Sequence, residues 1–235
     1  FGRPLVTTPS NFGTLGERPT HPELLDDLAA KFIAGKWSVK WLVRELVLSA
    51  TYRQSSAHSD TFAAADPDNR FLWRAPRKRL ELEQWRDAAL QVSGQLNLDA
   101  GGGPSENLDS PQSVRRTIFG RVSRERPSDI HRLFDLPDPK AHGEKREATI
   151  TPVQQLYFLN SQFVRQAAEQ LAKTATGCTD EEVVRGLFQK VLLRDPTADE
   201  LKTSIKLVYP RGGEAARWEL LAQVLLASNE FLYSN

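Results

Sequence analysis

The stretch Thr151-Pro152-Val153-Gln154-Gln155-Leu156-Tyr157-Phe158-Leu159-Asn160, continuing to Leu171, decides the fold class. Thr151 with Gln154 three residues on is the pattern in which each side chain serves the other's backbone N–H at a helix start. Pro152 follows at the position where a missing N–H would be unpaired anyway. Behind that start, Val153, Leu156, Tyr157, Phe163, Val164, Ala167 and Leu171 recur at helical spacing, which predicts one long helix with an apolar edge. Asn160 interrupts the edge. A buried amide must be hydrogen-bonded, so Asn160 is expected to tie the helix to the backbone of the 135–149 segment.

The same start signature appears at Thr20/Glu23, Thr179/Glu182 and Thr197/Glu200, and Ser38 can cap a further helix. Apolar stripes follow each: Leu25, Leu28 and Phe32 after Thr20, then Val39, Leu42, Val43 and Leu46 after Ser38. A third helix is expected from about Arg79, with Leu82, Trp85, Ala89 and Val92 on its buried edge. A short helix is expected near 127–134, others around 180–193 and 198–208, and a last one carries Trp218, Leu221 and Leu225 after a Pro210–Gly213 turn. The polar stretch 54–69 reads as a surface loop, and 97–113, with Gly101-Gly102-Gly103-Pro104, as a flexible linker between two halves. Alternation over 114–122 predicts the one strand of consequence. The expected fold is therefore mainly α: one compact domain over 1–235, with seven or more helices and a minor β element. Helix content should be at least about 45%, above the roughly 30–35% of an average globular chain.

Composition narrows the function classes. With 31 Lys plus Arg against 30 Asp plus Glu, the formal charge is +1, unlike a counterion-driven nucleic-acid binder. Cys178 is the only cysteine, which excludes an internal disulfide, a four-Cys zinc site and covalent haem attachment through C-x-x-C-H. No apolar run reaches the roughly 18 residues of a membrane span, and no signal peptide opens the chain. Phe1 is not an initiator and Met is absent, so a piece of a longer protein is expected. Neither a Walker lysine nor a Gly-x-Ser-x-Gly elbow accompanies the glycines, and Cys178 has no identifiable His or Asn partner.

Few residues carry chemistry. The Thr20 cap absorbs Glu23 and leaves His21 over. His131, Asp135, Asp138 and His142 offer metal-accepting atoms, yet their spacing across two prolines matches no zinc or calcium pattern, so no metal is expected. Basic residues concentrate between 70 and 126, at 11 against 7 acids, beginning with Arg74, Arg77, Lys78 and Arg79. Arginine forks suit carboxylate, phosphate or sulfate, which allows a basic cleft for an anionic partner. Pairing of these arginines with Glu81, Glu83 and Asp87 is the bland alternative. Arg77, Arg79, Asp135, Asp138, Arg146 and Asn160 are expected to form one interlocked polar centre.

An ordered set of strings carries a family resemblance: Phe1-Gly2-Arg3-Pro4-Leu5-Val6, Thr20-His21-Pro22-Glu23, Tyr52-Arg53-Gln54-Ser55-Ser56, Asp66-Pro67-Asp68-Asn69, Arg77-Lys78-Arg79-Leu80-Glu81, Phe134-Asp135-Leu136-Pro137-Asp138, Thr151-Pro152-Val153-Gln154 and Ser228-Asn229-Glu230-Phe231. Together they resemble the C-terminal domain, of unknown function, of large exported proteins abundant in planctomycetes and related bacteria. Those proteins commonly join a c-type cytochrome module, a second uncharacterised domain and this one. The resemblance implies a periplasmic or cell-surface location, haem c in another domain rather than in this chain, and partners among the parent protein's other domains. It places candidate binding residues at His21, Glu23, Tyr52, Arg53, Arg77, Arg79, Asp135, Asp138, Arg146, Gln154 and Asn160, outside which His131 and His142 fall. The expected role is a non-catalytic binding or assembly module, with an anionic glycan as one ligand and no nucleic acid. The alternative is an enzyme domain acting on polysaccharide or completing a haem-linked redox enzyme, for which Asp135, Asp138 and Glu23 are the nominated carboxylates.

Overall fold

Helix dominates as the caps and stripes predict: 51% of the described residues are helical, in 11 helices of which 8 span at least seven residues, beside one small two-stranded sheet. The structure is a computed structural model and describes every residue except 12, 100, 101, 104, 142, 144, 145, 147, 148, 178, 210–213 and 235. The readings placed on Gly101, His142, Cys178 and the Pro210–Gly213 turn lie outside the described residues. The chain divides into two compact units, residues 1–78 and 79–234, and the 97–113 segment lies inside the second.

In the first unit, α1 (Pro22–Ala34) and α2 (Val39–Leu48) form the expected hairpin, with Lys36 and Trp37 in left-handed backbone between them. The Ser38 hydroxyl accepts from the Trp41 N–H at 3.2 Å. At Thr20 the expected reciprocal cap is absent. Helix α1 begins after His21, and the Thr20 hydroxyl donates instead to the Leu5 carbonyl at 3.3 Å. Within the stretch read as a loop, α3 (Asp60–Ala65) forms one short helix. No residue of α1, α2 or α3 is fully buried; Leu25, Leu28, Phe32, Leu42 and Leu46 are half-buried.

The second unit holds the core. After β1 (Lys78–Arg79), the helices are α4 (Leu82–Val92), α5 (Asp129–Leu133), α6 (Pro152–Asn160), α7 (Gln162–Lys173), α8 (Asp180–Leu192), α9 (Ala198–Val208), α10 (Glu214–Leu226) and α11 (Asn229–Leu232). Strand β2 (Tyr233–Ser234) pairs with β1, and the Leu80 N–H donates to the Leu232 carbonyl at 2.8 Å. Reciprocal caps close at Thr151, Thr179 and Thr197. A fourth, Glu81 with Gln84, starts α4 at Leu82, three residues later than the sequence reading put it. Trp85, Phe134, Phe158 and Phe163 are buried around one centre, with Trp85 and Phe158 edge to face at 4.8 Å. Helix α7 packs along α10, where Ala167, Ala168, Ala172 and Ala222 keep both surfaces flat enough for close approach.

The predicted single long helix is two. Ser161 has extended backbone, ends α6, and accepts from the Val164 N–H at 3.2 Å to start α7. The break lets Phe158 and Phe163, five positions apart, both face the core. It also leaves Asn160 exposed, bonded only to its own helix through the Leu156 carbonyl at 3.0 Å. The expected Asn160 tie to the 135–149 segment is therefore corrected.

The predicted strand over 114–122 is corrected as well. Its backbone forms a short 3-10 turn at Thr117–Phe119, with isolated bridges Asn97↔Arg115 and Glu106↔Gly120 on either side. The reason lies on α4. Arg86, 0% exposed, donates to the carbonyls of Ser113 and Arg115 and to the Thr117 hydroxyl, and its guanidinium lies over the Phe163 ring at 4.9 Å. Burial holds its pKa below the ordinary arginine value. The next residue, Asp87, accepts from the Thr117 N–H at 2.7 Å and from Arg116 at 3.1 Å. Side chains of α4 thus take the polar groups that a ladder would have used. Part of the expected linker is held as well: Leu108 is 4% exposed and lies so close to Gly120 that a Cβ there would stand 2.5 Å from it.

A charged clasp joins the start of α9 to α11. Arg194 donates to Glu200 and Glu230 through bonds of 2.7 to 2.8 Å, just after Leu193 ends α8 in left-handed backbone. The Arg194 fork, then the Thr197 N–H, hold the Glu200 carboxyl at about 2 against its ordinary 4.5. A depressed folded pKa gives stability that is present above the unfolded value and lost as pH falls. Melting temperature should therefore drop between about pH 4.5 and about pH 2, and the drop should shrink in Glu200→Gln. Equal acid sensitivity of the two proteins in thermal denaturation would contradict the assignment.

Candidate functional site

In residues 1–78 the turn after α3 builds a rigid wall. The Asp66 carboxylate accepts the N–H groups of Phe71 and Arg70 at 2.8 and 2.9 Å, bonds that hold it below its ordinary value of 3.8. Asn69, in left-handed backbone, donates its side-chain amide to the Arg74 carbonyl at 2.9 Å and accepts from the Arg74 N–H. Trp73 donates its indole N–H to the Asp66 carbonyl at 2.9 Å, and the Ala75 N–H reaches the Ser55 carbonyl at 3.0 Å. Arg74 is consequently fixed at both ends: its backbone by Asn69, its guanidinium by the Trp73 face at 4.8 Å and by His58 Nδ1 at 3.2 Å. Since a guanidinium only donates, Nδ1 accepts, and the ring proton sits on Nε2 facing Asp60 at 3.1 Å.

This wall faces a cleft of about 710 Å³, lined by Arg3, Arg74, Arg77 and Lys78 as cations, with Asp68 as its one carboxylate and His58 beside Arg74. The arrangement can hold a carboxylate, sulfate or phosphate group in planar arginine forks.

The candidate residues fall in different places. Arg77 lines the cleft, and His21 lines an apolar groove next to it, edge-on to Phe71 at 5.9 Å. Tyr52 is half exposed and edge-on to Phe1 at 5.7 Å; Glu23 and Arg53 are exposed on the first unit's surface. In the second unit, Arg79, Asp135, Arg146 and Gln154 do interlock. Gln154, 1% exposed, accepts from Arg79 at 2.7 Å and donates to the Leu133 carbonyl at 2.9 Å and the Thr149 hydroxyl at 3.3 Å. Arg79 also donates to the Thr149 carbonyl at 2.7 Å. Both Asp135 oxygens accept from Thr149, and Arg146 joins Glu83 at 2.8 Å, Glu81 at 3.3 Å and the Phe134 carbonyl at 2.9 Å.

Three members of the expected polar centre stand apart from it. Arg77 is in the cleft of residues 1–78; Asp138 accepts from its own turn at the Lys140 N–H, 2.9 Å; Asn160 is exposed. Of the carboxylates nominated for an enzyme, Asp135 and Asp138 accept hydrogen bonds within the second unit, and Glu23 is exposed in the first. His131 is 2% exposed, bonded to the Ser128 hydroxyl at 2.8 Å, and burial lowers its pKa. Among the described residues, no three His, Cys, Asp or Glu side chains converge in a way that could hold a metal ion. Neither is any helix long and apolar enough to cross a membrane.

Sequence reading missed Arg3, His58 and Asp68 as cleft residues and Thr149 as a member of the network; it offered Glu81, Glu83 and Asp87 as arginine partners, and they pair with Arg146 and Arg116. Asp66 with Asn69 at turn spacing, and the basic run from Arg74 to Lys78, were the local signals for the cleft.

Fold and site together define a two-unit, mainly helical protein with a basic cleft in its first unit. A family model described as PSD1, Protein of unknown function (DUF1553), matches residues 1–208, and the chain belongs to that family. Comparison with curated proteins and with solved structures found no match.

Proposed function

We propose that the chain is a non-catalytic binding module that takes an anionic glycan in the cleft of residues 1–78. The observation that carries this reading is the set of four cations facing one carboxylate, with Arg74 already held in place by Asn69, Trp73 and His58. Preorganised cations lose little freedom on binding, so less of the interaction energy goes into ordering them. The resemblance of the sequence strings supports the setting: an exported protein of planctomycetes or related bacteria, at the periplasm or cell surface, with a cytochrome c module and other domains as partners.

Titration calorimetry of the chain with an oligogalacturonate tests the reading. Binding should weaken as salt rises. Arg74→Ala or Arg77→Ala should each weaken it at least about tenfold, which corresponds to about 1.4 kcal/mol. Arg165→Ala, the same charge change at an exposed position of α7, should leave it unaltered. Absence of binding, or equal weakening by all three substitutions, would overturn the proposal.

A further inference from the structure

The cleft has a neighbour of opposite character. Along α1 and α2 of the same unit runs a groove of about 770 Å³, walled by Leu24, Leu25, Leu28, Phe32, Leu42 and Leu46, with Phe71 of the loop after α3 beside them. The groove and the basic cleft share Phe1, Arg3 and Leu72 as walls. At the groove's rim Lys31 is met by Asp27 at 2.7 Å. The cleft is lined by the cations Arg3, Arg74, Arg77 and Lys78, with Asp68 as its one carboxylate.

Two adjoining spaces, each of ligand size, one charged and the other mainly apolar with Asp27, Lys31 and Glu45 as its charged lining, are complementary to a molecule that is itself divided. A free glycan acid would occupy the cleft and leave the groove to water. An alkyl chain entering the groove would cover Leu24 and Phe71, which are 46% and 77% exposed. Removing such surface from water is favourable in proportion to its area. Charge on one side and apolar lining on the other also set the ligand's direction: head among Arg3, Arg74 and Arg77, chain along α1 and α2.

We infer that the cleft and the groove of residues 1–78 form one site for a single-chain amphiphile with a sugar-acid head. The inference rests on the anion reading of the cleft and extends it to an apolar aglycone.

The test uses glucuronate, octyl glucuronide and dodecyl glucuronide below their micellar concentrations, with dodecyl glucoside as the uncharged twin, on the whole chain. Each methylene buried is worth about fourfold in affinity, the equivalent of about 0.8 kcal/mol. Affinity should therefore rise at least about tenfold from octyl to dodecyl glucuronide, and dodecyl glucoside should bind at least about tenfold more weakly than its acid. Leu24→Ser and Phe71→Ser change exposed positions and should leave the fold intact, as circular dichroism checks. They should abolish the gain from chain length while oligogalacturonate binding persists; Arg74→Ala should weaken both. Oligogalacturonate binding with no gain from the alkyl chain would overturn this inference and leave the proposed function standing. Failure of every acid to bind would remove both. Self-association in sedimentation that Phe71→Ser abolishes would make the groove an interface between copies, and would also overturn the inference.

Discussion

Replacing Arg86 by alanine should destabilise residues 79–234 by about 3–5 kcal/mol, from buried acceptors left without a donor and a cavity beside Phe163. The side chain is 0% exposed, and its fork is what satisfies the Ser113 and Arg115 carbonyls and part of the Thr117 hydroxyl. Each buried acceptor left without a donor costs about 1–3 kcal/mol, and the missing volume beside Phe163 adds a cavity. At about 2–4 °C per kcal/mol for a domain of this size, the melting temperature should fall by roughly 6–20 °C. Arg86→Met separates the two contributions, because it fills the space over Phe163 without bonding the carbonyls. It should recover only the packing part. Arg86→Lys should also stay well below wild type, since one ammonium cannot span acceptors that a planar fork reaches together. Wild-type melting of Arg86→Ala would show that the 113–117 segment does not depend on α4 for its shape.

Gln154→Leu should lower stability by about 2–4 kcal/mol, although the volume hardly changes, because buried donors and acceptors lose their partners. Gln154 closes the Thr151 cap, accepts from Arg79 and donates to Leu133, so one amide joins β1, the end of α5 and the start of α6. Asn160→Ala, by contrast, should stay within about 0.5 kcal/mol, as for an exposed side chain bonded only to its own helix. Thermal denaturation of the two variants side by side checks the assignment. Equal effects would mean that the amide at 154 is not what holds the network.

These two amides also show where sequence reasoning reaches and where it stops. A reciprocal cap is a contact three residues long, so Thr151, Thr179 and Thr197 were legible from spacing alone. The stripe behind Thr151 was legible too, but not its interruption. Ser161 caps without a Glu or Gln partner three positions on, and only the inward placement of both Phe158 and Phe163 requires the bend. Gln154 and Asn160 look alike in sequence, each polar within an apolar helix. What separates them is Arg79, 75 residues from Gln154. The strand reading over 114–122 failed for the same kind of reason: alternation was real, yet the partners of that backbone are side chains of α4 about 30 residues away. Of the cleft, the run around Arg77 was visible because it is continuous. Arg3 and His58 lie 71 and 16 residues before Arg74 and reach the cleft only through the fold, which no local spacing encodes.

The family match stops at Val208, where α9 ends, while the core does not. Leu221, Ala222, Leu225 and Leu226 of α10 are all buried, α10 packs along α7, and the Leu226 carbonyl accepts from the Trp85 indole at 3.4 Å. The matched segment and the packed core therefore have different edges. A chain cut at the edge of sequence similarity would uncover one side of α7 and orphan the indole of its largest core residue. In this chain α10, with Trp218, Leu221, Ala222, Leu225 and Leu226 buried, is the lid that keeps that side of α7 from water.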